Sequence, residues 1–489
     1  MLLRSFRSVV IALGCAALAG CGGEADRPVD VAVIGTPGSL RVTGLHLPAA
    51  AQLLRSATAE GLVGFDEQGR VIPALADRWI VTEDGLSYIF RLRDGTWPDG
   101  VAITGETARD GLLRALAGVR GSPLGLDLAV IAEVRAMAGR VIEIRLTRQA
   151  PDLLQLLAQP ELGLLRRGKG AGPMKLASDA EATVLKPIAP EDRGLPPEED
   201  WPQRARRLKI EALPAKAAIA RFNRGAADFV LGGHFQDFPR LDASGVARGA
   251  VRLDPVSGLF GLAVARAEGF LAQPENREAI AMAVDRDALA TALGIGGWTV
   301  TTRIVNPGVE GDNGTVGERW PGRSIDERRT QAAARTAKWK AAHGAPVLGL
   351  ALPAGPGADQ LFSRLAGDFK AIGVDLRRVG PTAAADLVLV DTVARYPRAD
   401  WFLNQFACGP ARGLCSVAAD RLSDQARDEA DPAKRAELYA QAEAQLTVTN
   451  TYIPLGVPIR WSLVAGNASG FMANRWNIHP LLPLALRGK

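Results

Sequence analysis

The sequence predicts an α/β protein divided into more than one lobe. Short apolar strands alternate with amphipathic helices along the chain, an order typical of mixed α/β proteins. At 489 residues the chain exceeds the size at which one hydrophobic core usually stops growing, so two or three lobes are expected. It contains no fixed-period repeat and no low-complexity tract.

Hydrophobic periodicity defines the individual elements. Thr104 is expected to cap the second helix through its side-chain oxygen, and Pro432 suits the first turn of the last helix. The predicted strands cover 30–35, 79–81, 86–92, 141–146, 208–213, 228–231, 347–352, 374–379 and 386–390. The predicted helices cover 49–60, 105–116, 215–223, 275–293, 326–342, 357–372 and 432–446.

The first twenty residues have the features of a secretory signal peptide. Arg4 and Arg7 precede the apolar run Val9–Ala19, which is too short to cross a bilayer core of about 30 Å at about 1.5 Å per residue. Residues 1–20 are therefore expected to be removed on export. The sequence Leu-Ala-Gly-Cys ending at Cys21 resembles the bacterial lipobox, which implies lipidation of Cys21 and a membrane-anchored protein without a spanning helix. An ordinary cleavage site with an incidental cysteine is the alternative.

The cysteines agree with an oxidising compartment. Cys15 would leave with the signal peptide and Cys21 would carry lipid, so only Cys408 and Cys415 remain. Two such neighbours are predicted to form a local disulfide. A metal pair is the alternative, but the four histidines are scattered and no HxxxH or CxxC spacing occurs, so neither a metal site nor a cofactor is predicted.

Charge does not indicate a nucleic-acid partner. The formal net charge is +5, with 23% charged residues, and basic residues are interspersed with acidic ones. A nucleic-acid footprint would need a basic stripe combined with groove-reading or aromatic elements. Neither feature is visible.

Ordered motifs in residues 60–116 resemble the signature region of the family 5 solute-binding proteins, the oligopeptide-, dipeptide- and nickel-binding components of ABC importers. E-G-L at 60–62 is followed by V-I-P-A-L-A-D-R-W at 71–79, by D-G-L-S-Y-I-F-R-L-R-D-G at 84–95 and by W-P-D-G at 97–100. Further resembling segments are 170–173, 208–230, 277–286, 438–439 and 453–455. The resemblance covers nearly all of the chain after the signal peptide.

This resemblance implies a periplasmic binding protein fold of three lobes, similar to type II, with a discontinuous lobe I and hinge closure around a cleft. Carried onto this chain it places the ligand between lobes I and III and implies a monomer that delivers its solute to an ABC permease and ATPase. The implied ranges are lobe I at 21–53, 170–262 and 465–489, lobe II at 54–169, and lobe III at 263–464.

One position departs from the peptide-binding pattern of the family. In peptide-binding relatives an Asp in a segment resembling A-D-Y-x-x-P-x-x-F-L binds the α-ammonium of the ligand, and here Arg395 stands at that position. A guanidinium repels an ammonium and attracts carboxylate or phosphate, which favours an anionic or otherwise non-peptide ligand. Alternatively, Arg395 pairs with a nearby carboxylate such as Asp400, or the alignment is shifted by a few residues.

Aromatic residues near this segment are further candidates for ligand contact. Phe260 lies where the chain enters lobe III, and Tyr396, Trp401 and Phe402 flank Arg395. Rings offer broad contact area in a cleft, although packing in the core is the alternative for each of them.

The sequence does not indicate an enzyme. It has no G-x-S-x-G, S-x-x-K, H-E-x-x-H or P-loop motif, although a glycosidase could hold two distant carboxylates without a motif. The same fold could also serve a sensor or act as a chaperone lipoprotein instead of an importer.

Overall fold

The computed structural model describes residues 27–44, 47–178, 183–380, 383–410 and 413–488. The signal peptide and Cys21 lie outside this part of the chain. The strands are β1 (Val29–Ile34), β2 (Val63–Phe65), β3 (Val71–Pro73), β4 (Ala76–Val81), β5 (Ser87–Leu92), β6 (Ile131–Ala136), β7 (Val141–Leu146), β8 (Met174–Ser178), β9 (Thr183–Pro187), β10 (Leu208–Leu213), β11 (Phe229–His234), β12 (Val251–Leu253), β13 (Gly258–Val264), β14 (Val347–Ala351), β15 (Asp375–Val379), β16 (Leu387–Val393), β17 (Tyr452–Gly456) and β18 (Arg460–Val464).

Helices cover the sheets and fill the connections between strands. They are α1 (Ala49–Thr58), α2 (Gly105–Val119), α3 (Pro123–Asp127), α4 (Leu153–Leu157), α5 (Trp201–Arg204), α6 (Ala215–Asn223), α7 (Pro239–Ala243), α8 (Pro274–Ala283), α9 (Arg286–Leu293), α10 (Ile325–His343), α11 (Pro356–Lys370), α12 (Ala399–Asn404), α13 (Val417–Asp428), α14 (Pro432–Thr449) and α15 (Leu481–Leu484).

The sheet of lobe I is assembled from three separate parts of the chain. Its strand order is β12-β18-β11-β1-β10-β9-β8, and β1 pairs in parallel with both β10 and β11. Val29, Val31 and Val33 of β1 are all buried, as expected for a central parallel strand covered on both faces.

Lobe II contains an antiparallel sheet of order β4-β5-β7-β6. On β5, Tyr88, Phe90 and Leu92 are buried while the intervening residues are more exposed, so the predicted period-two alternation is confirmed. The predicted cap of α2 is also present, because the Thr104 hydroxyl accepts a hydrogen bond from the Thr107 N–H at 3.3 Å.

Lobe III contains a mixed sheet of order β15-β14-β16-β13-β17. The single helix predicted over 275–293 is wrong, since the structure has α8 and α9 with a break at Val284 and Asp285. The Asp285 carboxylate accepts from the Ala288 N–H at 3.0 Å and caps α9, while the Asp285 N–H donates to Asp368 at 3.1 Å. The Asp285–Asp368 contact is tertiary and is invisible in helical periodicity.

Sheet membership moves the predicted lobe boundaries by several residues. Lobe III was expected over 263–464, but β13 already pairs with β16 from Gly258 and β18 pairs with β11 and β12 of lobe I. The first crossing was expected after residue 53, yet Ala50 and Ala57 of α1 both pack in the core of lobe I. Hydrogen-bonded pairing sets these limits, and a family-level resemblance locates them only approximately.

Lobes II and III share one apolar core. Phe90 and Leu112 of lobe II belong to the same buried cluster as Trp401 and Phe402 of lobe III. The three sheets, with the sheet of lobe I built from separate parts of the chain, confirm the predicted three-lobed α/β fold with a discontinuous lobe I. Lobes II and III pack directly against each other.

Candidate functional site

A groove of about 560 Å³ lies between lobe I and lobe III. We call this cavity the groove. Lobe I contributes the end of β11 and the turn that follows it, and lobe III contributes β13, β16 and the segment around the disulfide. Its lining residues are His234, Phe235, Gln236, Ala263, Val264, Pro353, Val388, Leu389, Val390, Asp391, Thr392, Gln405, Phe406, Ala407, Gly413, Leu414 and Cys415.

One edge of β16 borders the groove without a strand beside it. Along its full length β16 pairs with β13, but on its other side β14 pairs only with Leu387 and Val388. Within the described residues no strand pairs with that second edge over 389–393. Backbone N–H and C=O groups on such an edge are able to hydrogen-bond an extended ligand.

A polar contact joins lobes I and III beside this edge. Arg460 of β18 donates to the Asp391 carboxylate at 2.7 Å and to the Asp391 carbonyl at 3.1 Å. His234 Nδ1 lies 3.2 Å from the other carboxylate oxygen of Asp391. Burial alone would raise the pKa of Asp391, but Arg460 and His234 outweigh it and hold this pKa below its usual value. Burial, together with Arg460, lowers the pKa of His234, so the imidazole is neutral at pH 7 and Asp391 is ionised.

The predicted aromatic residues pack in the core in this conformation. Phe260 is fully buried, with ring centroids 4.9 Å from Phe235 and 5.7 Å from Trp298. Trp401 and Phe402 are also buried, and their ring centroids lie 5.0 Å apart. None of these three side chains lines the groove, so a ligand contact with them stays a prediction that requires rearrangement of the core.

Arg395 binds a carboxylate of lobe II. One of its terminal nitrogens donates to the Glu161 carboxylate at 2.8 Å, and the other donates to Gln159 at 2.7 Å and to Glu161 at 3.2 Å. The Arg395 side chain is 29% exposed and that of Glu161 is 4% exposed. Arg395 therefore pairs with a carboxylate, as one of the alternatives stated. The partner is Glu161 and not Asp400, which lies 3.7 Å from Arg398.

Tyr396 extends the same contact between lobes II and III. Its hydroxyl donates to Asp127 of α3 at 2.9 Å, and the Asn404 amide donates to the same carboxylate oxygen at 2.7 Å. The other oxygen of Asp127 is buried without a hydrogen-bond partner. Burial raises the pKa of Asp127 to about 7, so the neutral carboxyl form predominates below that pH.

Arg398 supplies the third polar contact between these lobes. It lies 3.4 Å from Asp152 of lobe II and donates to Glu310 at 2.7 Å. Burial raises the pKa of Asp152 to about 6 despite the nearby Arg398. The segment 395–404 therefore binds lobe II through Glu161, Asp127 and Asp152, none of which sequence reasoning identified.

Cys408 and Cys415 form a disulfide with a Cα–Cα distance of 5.2 Å. Cys415 lines the groove, so the bond ties the loop after α12 to the groove wall. The Asp420 carboxylate accepts from the Cys408 N–H at 3.0 Å, which links the same loop to α13.

Clusters of metal ligands and membrane-spanning helices are both absent from the described part of the chain. Over the described ranges no group of three or more His, Cys, Asp or Glu side chains is placed to hold a metal ion. None of the helices located there has the length and apolar character needed to cross a bilayer.

Three lobes, a discontinuous first lobe and a groove between lobes I and III define a solute-binding protein of the periplasmic type. Residues 70–413 match the model of the bacterial extracellular solute-binding proteins, family 5. The chain belongs to this family.

Solved structures of the family share the whole fold at low sequence identity. The OppA of Haemophilus influenzae in complex with RPPGFSPFR is 16% identical, with a TM-score of 0.81 over 94% of this chain and 99% of that one. The murein tripeptide binding protein MppA of Escherichia coli is 19% identical, with a TM-score of 0.78 over 95% of this chain and 99% of that one.

Curated relatives match over shorter segments. The probable deoxycholate-binding periplasmic protein YgiS of Escherichia coli is 33% identical over 144 residues, which cover 26% of this chain and 27% of that protein. The nickel-binding periplasmic protein of Escherichia coli is 34% identical over 118 residues, covering 24% of this chain and 22% of that protein. The chain thus spans about a quarter of the length of these relatives.

The Asp127 carboxyl predicts a specific pH dependence of stability. Its folded pKa of about 7 lies above the unfolded value of about 3.9, so the folded state binds this proton more tightly. The stability that it contributes is complete below about pH 4 and is lost as the pH rises toward about 7. Asp127→Asn keeps an acceptor for Tyr396 and Asn404 and does not titrate, so the melting temperature of the wild type should fall by a few degrees relative to this variant between pH 5 and pH 8.

Asp428→Asn, at an exposed position of α13, is the matched control and should follow the wild-type pH profile. An Asp127→Asn profile parallel to the wild type would show that this carboxyl does not titrate in the folded protein.

Proposed function

We propose that this protein is the extracytoplasmic solute-binding component of an ABC importer and that it captures a small polar or peptide-like solute in the groove. The single observation that carries the proposal is the unpaired edge of β16 over 389–393 beside a cavity between two lobes. A ligand that adds to this edge would gain backbone hydrogen bonds without needing a particular side chain.

The polar side chains of the groove suit a solute of low net charge. Gln236, Thr392 and Gln405 offer neutral donors and acceptors, and the charge of Asp391 is already compensated by Arg460. A fully charged ligand would have to displace such internal partners, whereas amide or hydroxyl groups would replace water directly.

Closure of the groove would signal occupancy to a permease. The backbone crosses between lobes I and III at 254–257 and again at 457–459, and two neighbouring crossings form a natural hinge. A solute drives closure only through better contacts with the closed state, so groups of the solute that touch both Gln236 and the β16 edge would supply the driving force.

Filling the groove should abolish solute capture. Ala407 is a partly buried lining residue, and Ala407→Trp would occupy the space that a solute needs. Native mass spectrometry of the purified wild type should reveal a co-purified small molecule, and its affinity for Ala407→Trp should fall by at least about tenfold, equivalent to about 1.4 kcal/mol.

The control is Ala334→Trp on the exposed face of α10, which adds the same side chain far from the groove and should retain the solute. Equal retention of the solute by both variants would contradict the proposed position of the site.

We also propose that the solute is not anchored by a free α-ammonium at position 395. The guanidinium there would repel such a group, and its bond to Glu161 supports a structural use of its charge. A free tripeptide such as Ala-Ala-Ala should therefore leave the melting temperature of the wild type unchanged.

The double variant Glu161→Gln/Arg395→Asp should respond to the same tripeptide. It places a carboxylate at position 395 without the charge of Glu161 beside it, and at 100 times the Kd bound ligand contributes about 2.7 kcal/mol, or a few degrees in a thermal-shift assay. Glu161→Gln alone is the control and should not respond. If the wild type is stabilised as much as the double variant, position 395 does not select the solute.

Anchoring through Cys21 completes the proposed function. The lipobox-like sequence supports a lipoprotein held at the periplasmic face of a bacterial membrane, where a binding protein meets its permease. Cys21→Ser should abolish lipid attachment in a Gram-negative host, as measured by the intact mass of the membrane-extracted protein, while an unlipidated wild type would refute the anchor.

A further inference from the structure

A second and larger cavity lies between lobe I and lobe II. Its volume is about 1540 Å³, well above the roughly 300–1,000 Å³ of common small-molecule sites. Lobe I lines it with α1, the loop before α1 and the start of β8, and lobe II lines it with α2 and the turn around Gly168. We call this cavity the basic cavity, and it shares no lining residue with the groove.

The lining of the basic cavity is strongly cationic. Nine Arg and Lys side chains line it, against two carboxylates, Glu161 and Asp192. Four of these cations have carboxylate partners. Arg93 and Arg193 both bind Glu60 at 2.6 Å, and Arg166 and Arg167 pair with Asp99.

Five cations of the basic cavity have no carboxylate partner within the described part of the chain. Lobe I contributes Arg41, Arg55 and Lys175, and lobe II contributes Arg114 and Lys169. Arg114 donates to the Leu165 carbonyl at 2.9 Å, which leaves its charge uncompensated. The cations come from both lobes, so a bound anion would be contacted from two sides.

Arg55 is the clearest example of a partly buried cation without a carboxylate partner in the described part of the chain. It lies half-buried on α1, and burial lowers the pKa of its guanidinium. Glu161 is the carboxylate that acts on it electrostatically, but both oxygens of Glu161 already accept from Arg395. Desolvated charges in proteins are normally paired, and over the described ranges Arg55 has no hydrogen-bond acceptor.

We propose that the basic cavity is a second binding site, which takes a soluble multiply charged oxyanion bearing phosphate groups. Guanidinium forks and ammonium groups on two opposing walls match the tetrahedral oxygens of such a ligand. The volume admits several linked phosphate groups, and five unpaired cations provide compensation for at least three negative charges. This site is independent of solute capture in the groove.

Tripolyphosphate is a suitable probe because it carries several charges in a compact chain. Titration calorimetry of the wild type at low ionic strength should give saturable binding that weakens as sodium chloride is added, since partly exposed charges are screened. Arg55→Gln/Lys169→Gln should bind at least about tenfold more weakly, because one charged hydrogen bond alone corresponds to about that factor.

Lys338→Gln/Lys340→Gln is the matched control. Both lysines are exposed on α10 of lobe III, so this variant removes the same charge away from the basic cavity and should keep wild-type affinity. Lys175→Gln, at an exposed position on β8, gives a milder variant that should lose affinity even if the double variant folds poorly.

Three results would overturn the proposal. They are absence of saturable binding by the wild type, equal losses in the cavity variant and the α10 control, and wild-type affinity in both cavity variants. Ala407→Trp should bind tripolyphosphate normally, and this result separates the second site from solute capture, because failure of either proposal leaves the other measurable.

Discussion

The contact of Arg460 with Asp391 is the interaction on which the arrangement of lobes I and III depends. Arg460 belongs to the sheet of lobe I and Asp391 to the sheet of lobe III, and the Arg460 side chain is only 4% exposed. Removal of either partner would leave a desolvated charge without compensation, which typically costs about 3–5 kcal/mol. Because the pair lies beside the unpaired edge of β16, it fixes that edge against the turn at Gln236 and so gives the groove its shape.

Local elements were predictable, since they follow from patterns within one segment. The alternation on β5, the cap at Thr104 and the helix expected over 326–342 all depend on neighbours fewer than twenty residues apart, and the structure contains each of them. The break between α8 and α9 was missed because Asp368, which holds the Asp285 N–H, is 83 residues away. The lobe boundaries also depend on contacts between residues that are distant in sequence, so they were predicted only approximately although the number of lobes was correct.

The residues around position 395 show where sequence reasoning about a site ends. Motif alignment identified the unusual residue, Arg395, but its partner Glu161 is separated from it by 234 residues. Tyr396, Trp401 and Phe402 were chosen as amphipathic or apolar rings near a cleft, and that property suits an interlobe core equally well. For Tyr396, the hydrogen bond to Asp127, which spans 269 residues, shows that in the present conformation the side chain contacts lobe II. The unpaired edge of β16 could not be predicted from the sequence, because the pairing of backbone groups does not require particular residue types. Gln236 was not predicted either.

The segment after β16 also links the groove to lobe II. Ala394 follows β16 directly, and the next two residues bind Glu161 and Asp127, so β16 cannot shift far without disturbing those contacts. Lobes II and III share an apolar core, and lobes I and III share another, which joins Ala32 and Trp461 to Phe260 and Phe369. A movement that opens the groove must therefore separate apolar side chains of lobes I and III as well, and the apolar area exposed in this way opposes opening.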